Sequence, residues 1–197
     1  MIAVRRPRRS QRERAESTRA ALVVAAGELF GESGFHQVPA QAVVRQAGVT
    51  SGALYHHFRD KRDLFRAAFE AAEVRLADRV AAAAGAGDGP WERLQLGVAE
   101  YLAVCAEAPA RRLLLVDGPS VLGWEEWRRI DAAHHLRPLR AVLAGAMRVG
   151  IIERRSPEPL ARLLLGALTE AGLGDPEDRD ALRHSALWLL DQLKRKT

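Results

Sequence analysis

The tightest constraint on this chain lies between Gln37 and Leu64, in the run QVPAQAVVRQAGVTSGALYHHFRDKRDL. Ala42, Val43 and Ala47 recur with a helical period after Val38 and Pro39, and proline suits a first helical position, where its missing amide is not needed. Gly48 ends that short helix where positive φ costs least. A second helix starts almost at once, N-capped by Thr50 or Ser51, and runs through Leu54 to Phe58. Asp60 then caps a third, with Asp63 at the N3 position in place of the usual Glu of a capping box. Two short helices joined by a glycine-containing turn predict a helix-turn-helix, the unit whose second helix enters the DNA major groove.

The residues of that second helix suit such a role. Leu54 and Phe58, four apart, point inward, while Thr50, Ser51, Ala53, Tyr55 and His56 cluster at or near its polar N-terminal end. Small residues let a helix lie deep in a groove. Hydroxyls and imidazoles reach base edges or phosphates, Ala53 can touch a thymine methyl, and a helix N-terminus favours a phosphate.

The run GVTSGALYHHFRDKRDLF, preceded by LFGESGFHQV, closely resembles the N-terminal DNA-binding domain of TetR (tetracycline repressor) family transcriptional regulators over roughly residues 15 to 70. The resemblance rests on AGV, LYHHF and DKxxLF at fixed offsets. It implies that Thr50, Ser51, Gly52 and Ala53 lie near bases, Tyr55 and His57 on phosphates, and Lys61 on the DNA backbone, with Gln41 touching DNA from the preceding helix. Where family members usually carry Thr-Ser or Thr-Thr, this chain has Val38-Pro39, so the usual hydroxyl cap is missing.

Charge supports the same division. Of the net +5, all resides in residues 1–70, which hold 12 Lys/Arg against 7 Asp/Glu, whereas residues 71–197 hold 18 of each. That asymmetry fits phosphate neutralisation by the N-terminal part. Residues 1–14, with Arg5, Arg6, Arg8, Arg9 and Pro7 and no apolar period, read as a basic flexible arm, either reaching the DNA or only raising local charge.

From Ala15 to Phe30 a helix is expected, with Leu22, Ala25, Ala26, Leu29 and Phe30 on its apolar face and Gly31 near its end; Phe35 completes the small core with Val43, Leu54 and Phe58. The helix after Asp60 runs to about Ala84, ended by the loop GAGDGP, and is long enough to join two domains with a boundary near residue 70. After Pro90 comes a helix bearing Trp91, Leu94, Val98, Tyr101, Leu102 and Cys105. A short apolar helix, a turn at Asp117-Gly118-Pro119 and a long helix from about Gly123, bent at Pro138 and closed by Gly150, complete the middle. Ser156-Pro157 and Asp175-Pro176 predict the starts of two final helices. Their apolar bands exceed what one core needs, which suggests a partner surface.

The expected architecture is therefore all-α: a three-helix DNA-binding domain (15–70) and a larger helical domain (71–197). The resemblance implies a homodimer through the last two helices (about 157–173 and 176–194), a palindromic operator, and a small-molecule effector bound in the second domain. Pocket candidates from the helices that surround the ligand in that family are Trp91, Tyr101, Cys105, Trp124, Trp127, His134 and Met147. Repression is the family default.

One cysteine, Cys105, excludes an intramolecular disulfide framework, and the adjacent pairs His56-His57 and His134-His135 diverge by about 100° on a helix, so no structural metal is expected. No cofactor, nucleophile-elbow, zincin or phosphate-loop pattern occurs, which argues against an enzyme. No run of about 18 uncharged apolar residues occurs, and a cytoplasmic location is expected. The competing reading is an all-α dimeric ligand-binding or interaction protein that does not recognise an operator.

Overall fold

The long helix expected after Asp60 is α4 (Lys61–Gly85), and the other elements are laid against it. In the computed structural model, which describes residues 11–174 and 177–195, regular structure is helical apart from one isolated antiparallel bridge, Ile152 to Lys194. Helices α1 (Gln11–Ser33), α2 (Ala40–Gln46) and α3 (Ser51–His57) precede α4. There follow α5 (Pro90–Ala106), α6 (Ala108–Arg111), a π-helical segment (Arg112–Asp117), α7 (Gly118–Leu122), α8 (Trp124–Arg148), α9 (Pro157–Leu173) and α10 (Arg179–Asp191). No helix among the described residues is long and apolar enough to cross a membrane.

The N-terminal helices pack as the apolar spacing requires. Leu22, Ala26 and Phe30 of α1, Val43 of α2 and Leu54 of α3 are all fully buried. Phe30, Phe35 and Phe65 meet pairwise with ring centroids 5.2 to 5.6 Å apart, the Phe35–Phe65 pair edge-on, a favourable arrangement of aromatic quadrupoles. Two local expectations are corrected. Gln11–Arg14, expected in the arm, form the first turn of α1, supported by an Arg12–Glu16 pair at i, i+4; residues 1–10, with their arginines, lie outside the described residues. Pro39 is the N-cap of α2 rather than its first helical residue. Gly31 lies near the end of α1, as expected, and is also a close-packing residue: a Cβ there would stand 3.0 Å from the Pro109 carbonyl oxygen, while Gly34 (φ +85°) makes the turn that follows.

The two halves are fastened by polar contacts as well as by the core. Asp117 Oδ2 accepts a 2.7 Å hydrogen bond from the Phe35 amide. Arg112 donates to the Glu32 carbonyl at the end of α1. From α4, Arg62 donates to the Val121 and Leu122 carbonyls (3.1 and 2.9 Å), satisfying the last turn of α7, and pairs with Glu126; Arg66 pairs with Glu126 as well. The turn expected at Asp117-Gly118-Pro119 is absent because the π segment leads straight into α7. Pro119 takes an early position in α7, where no amide donor is missed.

Toward the C-terminus, Arg111 donates to the carbonyls of Gly172, Leu173 and Gly174 and closes α9. The last described helix starts at Arg179, after a turn at Glu177 and Asp178; the expected start signal Asp175-Pro176 lies outside the described residues. The tail after α10 returns to the α8–α9 connection, where the Arg195 amide donates to Ile151.

Gly118 shows how tightly the halves meet. A Cβ there would lie 2.9 Å from both Phe69 and Trp127 rings. Gly118→Ala is expected to lower stability by about 1 to 3 kcal/mol through overpacking, measured by urea unfolding.

Candidate DNA-binding face and ligand cavity

The residues expected to face DNA gather on α2, α3 and the first turn of α4, organised by caps. Thr50 Oγ1 accepts from the Ala53 amide (3.2 Å) and starts α3; Asp60 Oδ1 accepts from the Asp63 amide (2.7 Å) and starts α4. The Asp63 carboxylate, shorter than the Glu of a capping box, accepts from the Arg59 amide. The Ser51 hydroxyl donates to Gln41 Oε1 (3.2 Å), tying α3 to α2 and bringing two expected contact residues together. Gln41, Thr50, Gly52, Tyr55 and His56 are exposed; Ser51, Ala53, His57 and Lys61 are half-buried. All nine expected residues thus share these three elements and their caps.

Gly52 is informative because the fold does not ask for it. Its φ is not positive, and a Cβ would meet only Thr50 Oγ1, at 4.0 Å. A glycine in a short helix costs stability, and here nothing in the protein repays it. Its bareness keeps the surface of α3 open to close approach from outside.

The electrostatics are cationic. His57 is held below the usual imidazole range by burial, then by the neighbouring His56 and by Arg19. Arg19, on α1, lies over the Phe58 ring at 5.2 Å, and the sequence reading missed it because residues on a different helix converge only in the fold. Lys61 sits over the Phe35 ring at 4.3 Å, and burial lowers its pKa. An anion arriving beside His57 would relieve its repulsion from His56 and Arg19.

The second feature is an apolar cavity of about 140 Å³ between α4, α5, α8 and α9. Small residues of α4 (Ala77, Ala81, Ala84) and Gly97 of α5 leave the space, and Leu94, Leu139, Val142, Leu165 and Leu168 wall it. Of the seven expected pocket residues, Tyr101 and His134 line it. The other five do not line this cavity. Trp91 is core, with the Lys194 ammonium 4.8 Å from its ring; Cys105 is buried, close to where a Gly172 Cβ would stand; Trp127 is buried and donates to the Leu114 carbonyl (2.9 Å). Trp124 is 62 % exposed on the outer surface, and Met147 is buried away from the space. Trp91, Cys105, Trp127 and Met147 are buried, as their places on the apolar stripes required, but burial in a helix bundle is mostly packing.

Beside the cavity lies a buried polar cluster that the sequence reading missed. His135 Nε2 and Glu73 Oε2 are 2.7 Å apart, Asp131 stands one helical turn before His135, and Tyr101 meets the His135 ring edge-on at 5.7 Å. Burial pushes the Asp131 carboxyl up to about 6, with Glu73 adding to the rise and His135 and Arg128 opposing it. Burial also raises the Tyr101 hydroxyl well above its ordinary value and pushes the Cys105 thiol up to about 12, so that thiol is inert. A usable signal existed: Asp131 and His135 are i, i+4, and Glu73 falls on the apolar stripe between Phe69 and Leu76.

A helix-turn-helix joined by one long helix to a cavity-bearing helical bundle defines a one-component regulator, and comparison with known proteins agrees. Residues 22–68 match the profile for bacterial regulatory proteins of the tetR family, and residues 91–196 match the tetracyclin repressor-like C-terminal domain. The TetC protein of transposon Tn10 from Escherichia coli is 24% identical over 156 residues, 79% of each chain. The HTH-type transcriptional repressor BepR of Brucella suis is 43% identical over 74 residues, 35% of each chain. Among solved structures, a TetR-family transcriptional regulator from Pectobacterium atrosepticum superposes with a TM-score of 0.79 at 29% identity, covering 95% of this chain and 99% of that one. The chain belongs to the TetR family and is a DNA-binding transcriptional regulator.

The unneeded glycine in α3 yields a direct check. Gly52→Ala is expected to stabilise the fold by about 0.4 to 1 kcal/mol in a denaturant titration, because it restricts the unfolded chain without a clash.

Proposed function

We propose that the chain is a homodimeric repressor that occupies a palindromic operator and leaves it when a small, largely apolar effector fills the cavity. The observation that carries this reading is α4: its first turn, with Lys61, borders the DNA-facing end, and its Ala77, Ala81 and Ala84 wall the cavity. A ligand that favours one position of α4 over another thereby has a differential affinity for two arrangements of α3, the requirement for any ligand-driven shift. The domain division near residue 70 falls within this helix.

In this reading Thr50, Ser51, Gly52 and Ala53 face bases, and Gln41, Tyr55, His56, His57 and Lys61 serve phosphates or their surroundings. Arg93, Tyr101, His134 and His135 offer polar groups at a cavity wall that is otherwise apolar, which suits an effector with an apolar body and a few hydrogen-bonding positions. Repression is supported by the likeness to BepR, a transcriptional repressor. The regulator works by binding alone, in the cytoplasm, where its DNA is.

Dimerisation through α9 and α10 is supported by their outer faces. Leu163 is 74 %, Trp188 60 % and Leu189 50 % exposed, side chains that a solvated helix face seldom carries together. A C₂ dimer would offer two copies of α3 to half-sites about 34 to 36 Å apart, or a multiple of that.

Selection of genomic fragments by the purified protein at moderate salt, followed by footprinting, tests the whole reading: a short inverted repeat is expected, and binding that only fades with salt, without enrichment, would refute it. On the selected site, Tyr55→Phe and Lys61→Ala are expected to weaken all sequences alike, Lys61→Ala with a shallower salt slope and Tyr55→Phe with the slope unchanged, while Ser51→Ala changes which half-sites are preferred. The double change Leu163→Glu, Leu189→Glu is expected to give a folded monomer by sedimentation, with operator affinity reduced on the order of 100-fold.

A further inference from the structure

The Glu73, Asp131 and His135 cluster is not accounted for by operator binding or by an apolar effector. All three side chains are buried, in a layer whose remaining members are mostly apolar. The hydrogen bond between Glu73 and His135 satisfies one carboxylate. Asp131 is only 2 % exposed, and its Oδ2 is buried with no hydrogen-bond partner. Leaving such an oxygen dry and unpaired is costly, and a core that needed only packing would place an apolar residue there.

One ligand atom from each residue can be chosen so that all three lie within 4.8 Å of one another. Two come from α8, where Asp131 and His135 share a face at i, i+4, and the third comes across from α4. Metal bonds of about 2.0 to 2.2 Å to imidazole nitrogen and carboxylate oxygen place neighbouring donors about 3 to 3.5 Å apart. Small side-chain rotations would therefore close Asp131 onto a common centre and open the Glu73–His135 pair. The charge also balances: two carboxylates with a neutral imidazole sum to −2, which one divalent cation cancels in a place that tolerates no net charge.

We infer that Glu73, Asp131 and His135 form a binding site for one divalent first-row transition-metal ion beside the ligand cavity. One imidazole with two carboxylates and no thiolate suits zinc, manganese or nickel rather than copper(I) or an iron–sulfur cluster, and three protein ligands leave positions open. Since His135 lines the cavity, a polar group of a bound effector has a route to those positions.

The test is independent of any operator. The full chain, freed of its tag and stripped with chelator, is titrated calorimetrically with ZnCl₂, MnCl₂ and NiCl₂ in separate experiments. The expected result is one ion per chain for at least one metal, with affinity lowered at least about 10-fold by Asp131→Asn and by His135→Gln, and unchanged by His36→Gln. If His135→Gln does not fold, Asp131→Asn, which keeps the shape and removes the charge, carries the comparison. Absence of saturable binding of all three ions to the folded chain, or equal affinity in Asp131→Asn, overturns the inference.

Discussion

Helix α4 is buried against two sets of partners at once, and the remaining structure follows from that double obligation. Leu64, Phe65, Ala68 and Phe69 complete a core begun by α1 to α3, while the positions from Ala72 to Ala84 serve α5 and α8. Apolar burial of this extent is worth about 1.5 to 3 kcal/mol for each large side chain, far more than the exposed ion pairs beside it. The polar contacts do a different job. Arg62 closing α7 and Asp117 holding the Phe35 amide set the angle at which the two sets meet, since hydrogen bonds are directional and hydrophobic contacts are not.

How much of this was legible in the sequence depended on whether a signal was local. The caps at Thr50 and Asp60, the turn at Gly48 and the inward pair Leu54 and Phe58 are decided by a few neighbouring residues, and all were readable. So was the long helix from Lys61, by its apolar period. The turn at Asp117-Gly118-Pro119 misled because proline and glycine mark chain reversals only when tertiary packing agrees. Here Gly118 is needed for its lack of a side chain against Phe69 and Trp127. The cavity was the least legible part: an absence of atoms is set by small residues such as Ala77, Ala81 and Gly97, which leave a weaker mark in a sequence than large aromatic ones.

The second half combines two solvents of opposite kind within one bundle. Most of the cavity wall offers only dispersion, and that part by itself would accept many apolar molecules of suitable size. Beside it, Glu73, Asp131, His135 and Tyr101 concentrate the polar capacity of the interior in one corner. Such an arrangement gives selectivity through one end of a ligand and affinity through its body, because polar groups left unpaired penalise wrong ligands more than missing methylenes do.

The close approach of Gly31 to Pro109 and of Gly118 to Phe69 and Trp127 bears on how such a chain can change over generations. The Gly31–Pro109 and Gly118–Phe69 contacts each pair a residue before position 70 with one after it, and each tolerates no added atom without a shift of its neighbour. Recombination that joins the first 70 residues of one relative to the remainder of another would bring together surfaces shaped for different counterparts. The sensing half is thus free to acquire new cavities by changing alanines and leucines within it, while its edge toward the DNA-facing helices is inherited with them as a matched pair.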